Sequence, residues 1–154
     1  WRDEMKFKFP YEVLMEHRKR TEEIARRDFF EVKNKLDMEM DTEKQMHERV
    51  KIAWEIRFEM QTKGTGAALG MCTEIEEFLN GQKVRIARQQ EVISNLSTIV
   101  EQKRELLVAA AKEVKILEKL REKRMAEFKK LQRKKDIKAT DEIVVTRHAF
   151  RERA

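Results

Sequence analysis

Glycine and proline are scarce in this chain: its 154 residues include four glycines and one proline, Pro10. Because these two residue types usually mark the turns between elements, their scarcity predicts few turns. One cluster, Gly64 and Gly66 with Gly70 close behind, can supply a sharp reversal. A globular domain of this length needs several connections, so the sequence favours a chain that reverses its direction once.

The composition is that of a helical coiled-coil protein. Charged residues make up 42% of the chain and hydrophobic residues 40%, whereas only 7% are aromatic. Abundant Glu, Lys, Arg and Leu at a helical period is typical of long helices and coiled coils. No apolar run is long enough for a transmembrane helix, and the N-terminus lacks the apolar core of a signal peptide. The single cysteine, Cys72, cannot form an intrachain disulfide, which fits a reducing, cytoplasmic setting.

The first helical pattern covers about 10–62. Pro10 suits a helix start because its fixed φ fits a first turn and its missing N–H would be unpaired there. From Tyr11 onward, apolar residues recur mostly at steps of three and four, the period of an amphipathic helix. Glu43 stands where an apolar residue is due. The residues predicted to face a partner helix are Leu14, Ala25, Phe29, Val32, Leu36, Met40, Met46, Val50, Ala53 and Met60.

The second pattern, over about 68–137, is more regular. Alternating steps of three and four define a seam, meaning the row of residues that faces a partner helix. Of its 18 positions, 13 are apolar. Polar residues at seam positions commonly fix register and orientation, which is the role predicted for Gln82, Gln89 and Lys103. The seam comprises Cys72, Ile75, Leu79, Gln82, Ile86, Gln89, Ile93, Leu96, Val100, Lys103, Leu107, Ala110, Val114, Leu117, Arg121, Arg124, Phe128 and Leu131.

The first helix is the available partner for this seam. The sequence therefore predicts an all-α fold in which two long helices form an antiparallel coiled-coil hairpin across a turn at about 63–67. Thr140, followed by Asp141 and Glu142, resembles an N-cap and acidic first turn. It predicts a short C-terminal helix within a tail over about 138–154. Residues 5–154 are predicted to form one domain, with Met5 as the natural start and residues 1–4 as additions to the natural chain or disordered.

Basic charge is concentrated near the C-terminal end of the second pattern. Residues 119–138 contain ten basic and three acidic side chains, a net of +7, whereas the whole chain carries +6. A solvated basic overhang that keeps the chain soluble is one interpretation, and a contact with an acidic protein surface is another. A basic helix also attracts phosphates, but no base-reading arrangement accompanies it, so nucleic acid is not expected as a partner.

Residues suited to catalysis or metal binding are few. His17, His47 and His148 are isolated from one another, and no second cysteine is present, so the sequence predicts no metal site. Gly64-Thr65-Gly66 lacks the remainder of a phosphate-binding or dinucleotide-binding motif and is interpreted as a turn. We therefore expect no enzymatic activity and no cofactor.

Three segments resemble the FliJ family of flagellar export proteins. The run from Met5 reads Met-Lys-Phe-Lys-Phe-Pro-Tyr-Glu-Val-Leu-Met-Glu-His and is followed by Arg18 and Lys19. The segment from Val114 to Arg124, Val-Lys-Ile-Leu-Glu-Lys-Leu-Arg-Glu-Lys-Arg, is similar to the family's most recognisable stretch. The C-terminal segment also resembles the family, with Asp141-Glu-Ile143 followed by Phe150-Arg151.

The resemblance implies a cytoplasmic component of the flagellar type III export apparatus, and hence a role in flagellum assembly and motility. Such a protein is expected to act as a stalk in the ring of the hexameric export ATPase. It would link that ring to the cytoplasmic domain of the export gate, and to export chaperones. It would thus reach the cytoplasmic face of the inner membrane only through these partners.

The resemblance also implies two contact sites. The residues implied for the ATPase ring are Phe7, Phe9, Tyr11, Arg121, Arg124, Lys129 and Lys130. Those implied for the export gate, placed by their distance from the turn, are His47, Val50, Trp54, Phe78, Gln82, Arg85 and Gln89. Two alternatives stay open: a scaffolding coiled coil that self-associates through its seam, and a basic coiled coil that binds nucleic acid or an anionic membrane.

Overall fold

The computed structural model describes residues 6–64 and 66–152, with the backbone alone over 66–69. Helix α1 covers Glu12–Lys63 and helix α2 covers Gly66–Glu152. The two helices pack against each other, and no strand occurs in the described ranges. This confirms the predicted all-α hairpin of two long helices. The natural start at Met5 and the assignment of residues 1–4 lie outside the described residues.

The start of α1 is a turn built on Pro10 and Tyr11. The backbone N–H of Glu12 donates to the carbonyl of Phe9 at 3.3 Å, and that of Met15 donates to the carbonyl of Tyr11 at 2.9 Å. Pro10 has no N–H to offer, so it fits before the first helical hydrogen bond. The helix therefore begins two residues later than its sequence predicts.

The end of α1 is set by Gly64, whose φ is +59°. A residue in this left-handed conformation terminates many helices, and glycine adopts it without the strain that a Cβ would add. Gly64 belongs to the glycine cluster that the sequence predicts as a turn, and it directly follows the last residue of α1. Gly66 and Gly70, the other members of the cluster, already belong to α2.

Replacing Gly64 with alanine should lower the free energy of unfolding by about 1 kcal/mol, because the backbone conformation itself disfavours a Cβ. Lack of space is not the reason, since nothing lies within 4 Å of the site where that Cβ would stand. Gly81, inside α2 and equally unobstructed, is the matched control. Gly81→Ala should stabilise by about 0.5–1 kcal/mol in the same urea titration. Equal effects of the two substitutions would contradict the assignment of the turn.

Packing divides the chain into two compact units. Unit 1 consists of Trp1–Glu22 with Ala109–Ala154, and unit 2 consists of Glu23–Val108. The prediction that residues 5–154 form a single domain stays a prediction. The units are described separately below.

In unit 2 the two helices run antiparallel. Arg57 of α1 pairs with Glu76 of α2, Glu43 accepts a hydrogen bond from Gln90, and Asp28 lies 3.9 Å from Lys103. Residue numbers thus rise along α1 as they fall along α2. Ala53, Leu79 and Gln82 are the buried side chains of this unit among the described residues.

The row of inward-facing residues on α2 agrees with its predicted seam from Cys72 to Leu117, where every predicted position is buried or half-buried. On α1 two predictions are wrong. Leu14 and Met40 are exposed, and their neighbours Met15 and Glu39 face inward. The reason is that the steps of three and four continue unbroken from Met15 to Met60, and this regular spacing brings Glu39 and Glu43 into the seam.

In unit 1 the helices also run antiparallel, as the Arg18–Glu113 and Lys19–Glu118 ion pairs show. The buried apolar residues of this unit, among those the structure describes, are Met15 at 2% exposure, Val114 at 5% and Phe9 at 6%. Beyond Leu117 the predicted seam is confirmed at Phe128, which is half-buried, but it is wrong at Arg121, Arg124 and Leu131, which are exposed. The inward row includes Met125 and Gln132 on either side of Phe128. Charged guanidinium groups are more stable in water than in a helix interface, which favours the exposure of Arg121 and Arg124.

Helix α2 continues to Glu152, so the predicted separate C-terminal helix is wrong. Thr140 is an interior residue whose hydroxyl donates to the carbonyl of Asp136 at 2.8 Å, rather than an N-cap. No glycine or proline occurs between residues 132 and 152, so nothing interrupts the backbone hydrogen bonds. All side chains from 133 to 152 are exposed.

Candidate partner-binding surfaces

The aromatic residues near the start of α1 differ in their exposure. Phe7 is half-buried, with its ring centroid 5.6 Å from that of Phe128 in α2. Phe9 is buried, and its ring lies 5.8 Å from that of Tyr11, which is exposed. Tyr11 is therefore the residue of this group that offers most of its ring to a partner, while Phe9 holds the segment in place.

One basic residue of unit 1 is tied to the start of α1. Arg121 is bound to Glu12 by an ion pair of 3.7 Å and lines a groove of about 400 Å³ with Lys129 and Met125. Arg124, Lys129 and Lys130 are exposed and form no ion pair among the described residues. We call these three residues the cationic cluster. Their charges are accessible to carboxylates of another molecule.

One side of unit 2 carries a groove of about 330 Å³ that we call the Trp54 face. It is lined by His47, Val50, Trp54, Leu79, Asn80, Lys83, Ile86, Ala87 and Gln90. The Trp54 ring is half exposed, and the guanidinium carbon of Arg57 lies 5.2 Å from its centroid. This cation–π contact, together with the Arg57–Glu76 ion pair, fixes the orientation of the ring.

Another groove of unit 2, of about 380 Å³, lies between other flanks of the two helices. We call it the Phe78 face, and it is lined by Arg49, Ile52, Ala53, Ile56, Glu74, Ile75 and Phe78. Ile52, Ile56 and Phe78 are each 41–51% exposed. Apart from Arg49 and Glu74 at its border, the lining is apolar. It is therefore suited to apolar side chains of a partner.

The residues implied for the gate contact are separated by the structure. His47, Val50 and Trp54 line the Trp54 face, whereas Phe78 lines the Phe78 face. Arg85 follows Phe78 by seven residues, so it lies on the same flank of α2. Gln82 and Gln89 belong to the seam, and Gln82 is only 3% exposed. A single flat partner surface cannot contact both faces at once.

Sequence reasoning missed Arg49, Ile52 and Ile56 as surface residues of interest. The signal that could have found the two isoleucines is an apolar residue placed just outside a seam, at a position that a two-helix pair leaves uncovered.

Polar groups interrupt the seam of unit 2. The side-chain amide of Gln89 donates to the carbonyl of Glu39 at 3.0 Å and to the Glu39 carboxylate, while Gln90 donates to Glu43 at 2.9 Å. His47 Nε2 lies 3.5 Å from the same Glu43 carboxylate. These bonds require one particular pairing of the helices, which supports the register role predicted for Gln89.

Within the described ranges no group of three or more His, Cys, Asp or Glu side chains could hold a metal ion. Cys72 is a half-buried free thiol. Among the described residues, neither α1 nor α2 contains a stretch that is apolar enough to span a membrane. The chemistry available at the surfaces above is hydrogen bonding, charge pairing and apolar contact.

Two long helices packed against each other define the class of α-helical hairpin proteins. The chain is a member of the flagellar FliJ protein family, whose model matches residues 7–153. This confirms the resemblance read from the sequence. It makes the protein a component of the flagellar export apparatus, in a family of export components rather than enzymes. No curated protein and no solved structure was found to match it.

Proposed function

We propose that this protein is a stalk within the ring of the flagellar export ATPase, and that it links the ring to the export gate and to export chaperones at the cytoplasmic face of the inner membrane. The observation that carries the proposal is that unit 1 holds both the exposed Tyr11 and the cationic cluster. An exposed aromatic ring and three cations that form no ion pair with the described residues suit a ring interior lined by carboxylates.

Arg121 has a different role in this proposal. Its ion pair with Glu12 joins α2 to the start of α1, so it positions the segment that carries Tyr11. Phe7 supports the same segment through its contact with Phe128. We assign direct contact with the ring to Tyr11, Arg124, Lys129 and Lys130, and a positioning role to Phe7, Phe9 and Arg121.

The gate contact is assigned to unit 2, which has exposed aromatic residues on both grooves. Aromatic side chains commonly anchor protein interfaces. Trp54 and Phe78 are the exposed aromatic residues that line these two grooves. Two grooves of different chemistry allow the gate and a chaperone to bind at separate places.

A scaffold that self-associates through its seam is less well supported. The α2 residues that would form its intermolecular seam are already covered by α1 as far as Leu117. Self-association through them would require the hairpin to open.

Charge reversal of the cationic cluster should abolish binding to the purified export ATPase hexamer. The triple variant Arg124→Glu, Lys129→Glu and Lys130→Glu changes only exposed side chains, so its stability should change by no more than about 1 kcal/mol. Binding is measured by co-elution and by fluorescence anisotropy at two salt concentrations. Loss of interfacial charge pairs should slow association, most clearly at low salt.

The matched control reverses one arginine and two lysines of unit 2: Arg88, Lys44 and Lys51. These side chains are also exposed and form no ion pair among the described residues. The control should retain ATPase binding. If both triple variants lose it equally, total charge rather than the cationic cluster determines the interaction, and the stalk assignment fails.

A further inference from the structure

Helix α2 carries a second apolar row that the seam does not use. Phe78, Val92, Ile99 and Leu106 each directly precede a seam residue and follow one another at multiples of seven. Their exposed fractions lie between 39% and 60%. We call these four residues the ridge. Since residues seven apart lie on the same flank of a coiled-coil helix, the ridge continues from the Phe78 face along unit 2.

Helix α1 contributes to the same face. Ile52 lines the groove with Phe78, and Met38 and Ile24 precede it by fourteen and twenty-eight residues on the same flank. All three are more than half exposed. The opposite side of the pair is more polar, with His47, Asn80 and Lys83 lining the Trp54 face. One side of unit 2 therefore resembles a two-helix layer that lacks its third helix.

The charges at the border of the ridge indicate which kind of helix fits. Arg49 lines the Phe78 groove, and Arg85 fills the one seven-residue step at which the ridge is not apolar. Neither arginine forms an ion pair among the described residues. Guanidinium groups beside an apolar groove pair well with carboxylates of a docked helix. Glu74 is the acidic residue of the groove, and it lies at the end nearest the turn.

We propose that the ridge and the Phe78 face bind an amphipathic helix of an export partner, one whose apolar stripe is bordered by acidic residues. Phe78 and Leu106 are 28 residue steps apart, which corresponds to about 42 Å of helix, so the partner segment would be up to about eight turns long. The inference rests on the proposed function, because Phe78 and Arg85 belong both to the proposed gate contact and to the helix-binding face. It goes further by assigning the Trp54 face to a different contact.

A second copy of this chain that docks through the same face fits less well, because its own Arg49 and Arg85 would add positive charge and Glu74 would be the one carboxylate of its groove. An anionic membrane also fits less well. Membrane-surface helices bury a broad apolar face, whereas the apolar rows of this face are interrupted by Arg85 on α2 and by Glu31 and Gln45 on α1.

The test uses the full chain and two synthetic 28-residue helical peptides. Both peptides carry a stripe of leucine residues at steps of three and four. In the acidic peptide glutamate residues border this stripe, and in the basic peptide lysine residues take the place of the glutamates. Binding is measured by fluorescence anisotropy at physiological salt. The acidic peptide should bind about tenfold more tightly than the basic peptide, which is the difference expected for two charge pairs of moderate strength. The double variant Arg49→Glu and Arg85→Glu should reverse this preference.

A second pair of variants tests the ridge itself. The double variant Val92→Asp and Ile99→Asp should lose binding of the acidic peptide with unchanged helicity by circular dichroism, since both side chains are partly exposed. The control, Trp54→Ala with Lys83→Glu on the Trp54 face, should bind it as the wild type does. Equal binding of the two peptides would overturn the proposal. An equal loss of peptide binding in the control would also overturn it. So would a dimer, detected by sedimentation, that disappears with Val92→Asp. Binding to anionic vesicles that requires the ridge, without any binding of the acidic peptide, would overturn it as well.

The same variants measured against the purified gate domain separate this inference from the proposed function. If the peptide requires the ridge and the gate domain binds every variant equally, the inference holds and the gate assignment fails. If the gate domain requires Trp54 and the peptide does not bind, the gate assignment holds and the inference fails.

Discussion

Replacing Val114 with aspartate should destabilise the protein by about 3 kcal/mol, because it places an unpaired charge in a helix interface. Val114 is 5% exposed and is one of the few buried apolar side chains of unit 1. A two-helix pair has no thick core to compensate, so each buried position contributes a large share of the stability. The change is measured as the free energy of unfolding in urea, monitored by circular dichroism.

Ile116 provides the control for this substitution. It lies two residues further along α2 and is 66% exposed. Ile116→Asp should change the free energy of unfolding by no more than about 0.5 kcal/mol. Similar losses for both variants would mean that α2 presents a different side to α1 from the one described.

The two seam glutamines should respond to leucine with opposite signs. Gln82 is 3% exposed, and its side-chain oxygen accepts no hydrogen bond from the described residues. Replacing a buried amide whose oxygen lacks a donor with leucine removes a desolvation cost, so Gln82→Leu should stabilise by about 1–2 kcal/mol. Gln89 donates to both the carbonyl and the carboxylate of Glu39. Gln89→Leu should destabilise by about 1–2 kcal/mol, because it leaves that half-buried carboxylate without its donor.

Urea titrations of the two single variants and the double variant measure both effects. Gln82 and Gln89 are two turns apart on one helix with different partners, so their effects should add. A gain in stability for Gln89→Leu would show that its hydrogen bonds to Glu39 contribute nothing, and the register role assigned to this glutamine would then be wrong.

The sequence predicted the fold more fully than the surfaces. The seam of α2 could be read as far as Leu117 because a seven-residue repeat depends only on helix geometry. The reading failed at Leu14 and Met40, where assigning an apolar residue to the interior was misleading, because the regular step of the seam determined which side chain faces inward. It failed for the opposite reason at Arg121, which the regular step places in the seam and the structure leaves exposed.

The candidate sites were predicted as residue types but not as surfaces. The concentration of basic residues was visible in the sequence, yet the pairing of Arg121 with Glu12 was not, since it depends on the alignment of the helices. Similarly, distance from the turn grouped Trp54 with Phe78. Their separation follows from the side of each helix on which they lie.

By itself, the sequence determined that two long helices form and that the chain reverses at Gly64, because helical periodicity and the left-handed conformation of glycine are local properties. Only the tertiary structure decided that Glu39 also enters the seam, which of the described cations remain unpaired and which apolar residues remain uncovered. These depend on the axial alignment of α1 against α2, and that alignment is set by contacts between residues far apart in the chain, such as Gln89 with Glu39 and Arg18 with Glu113.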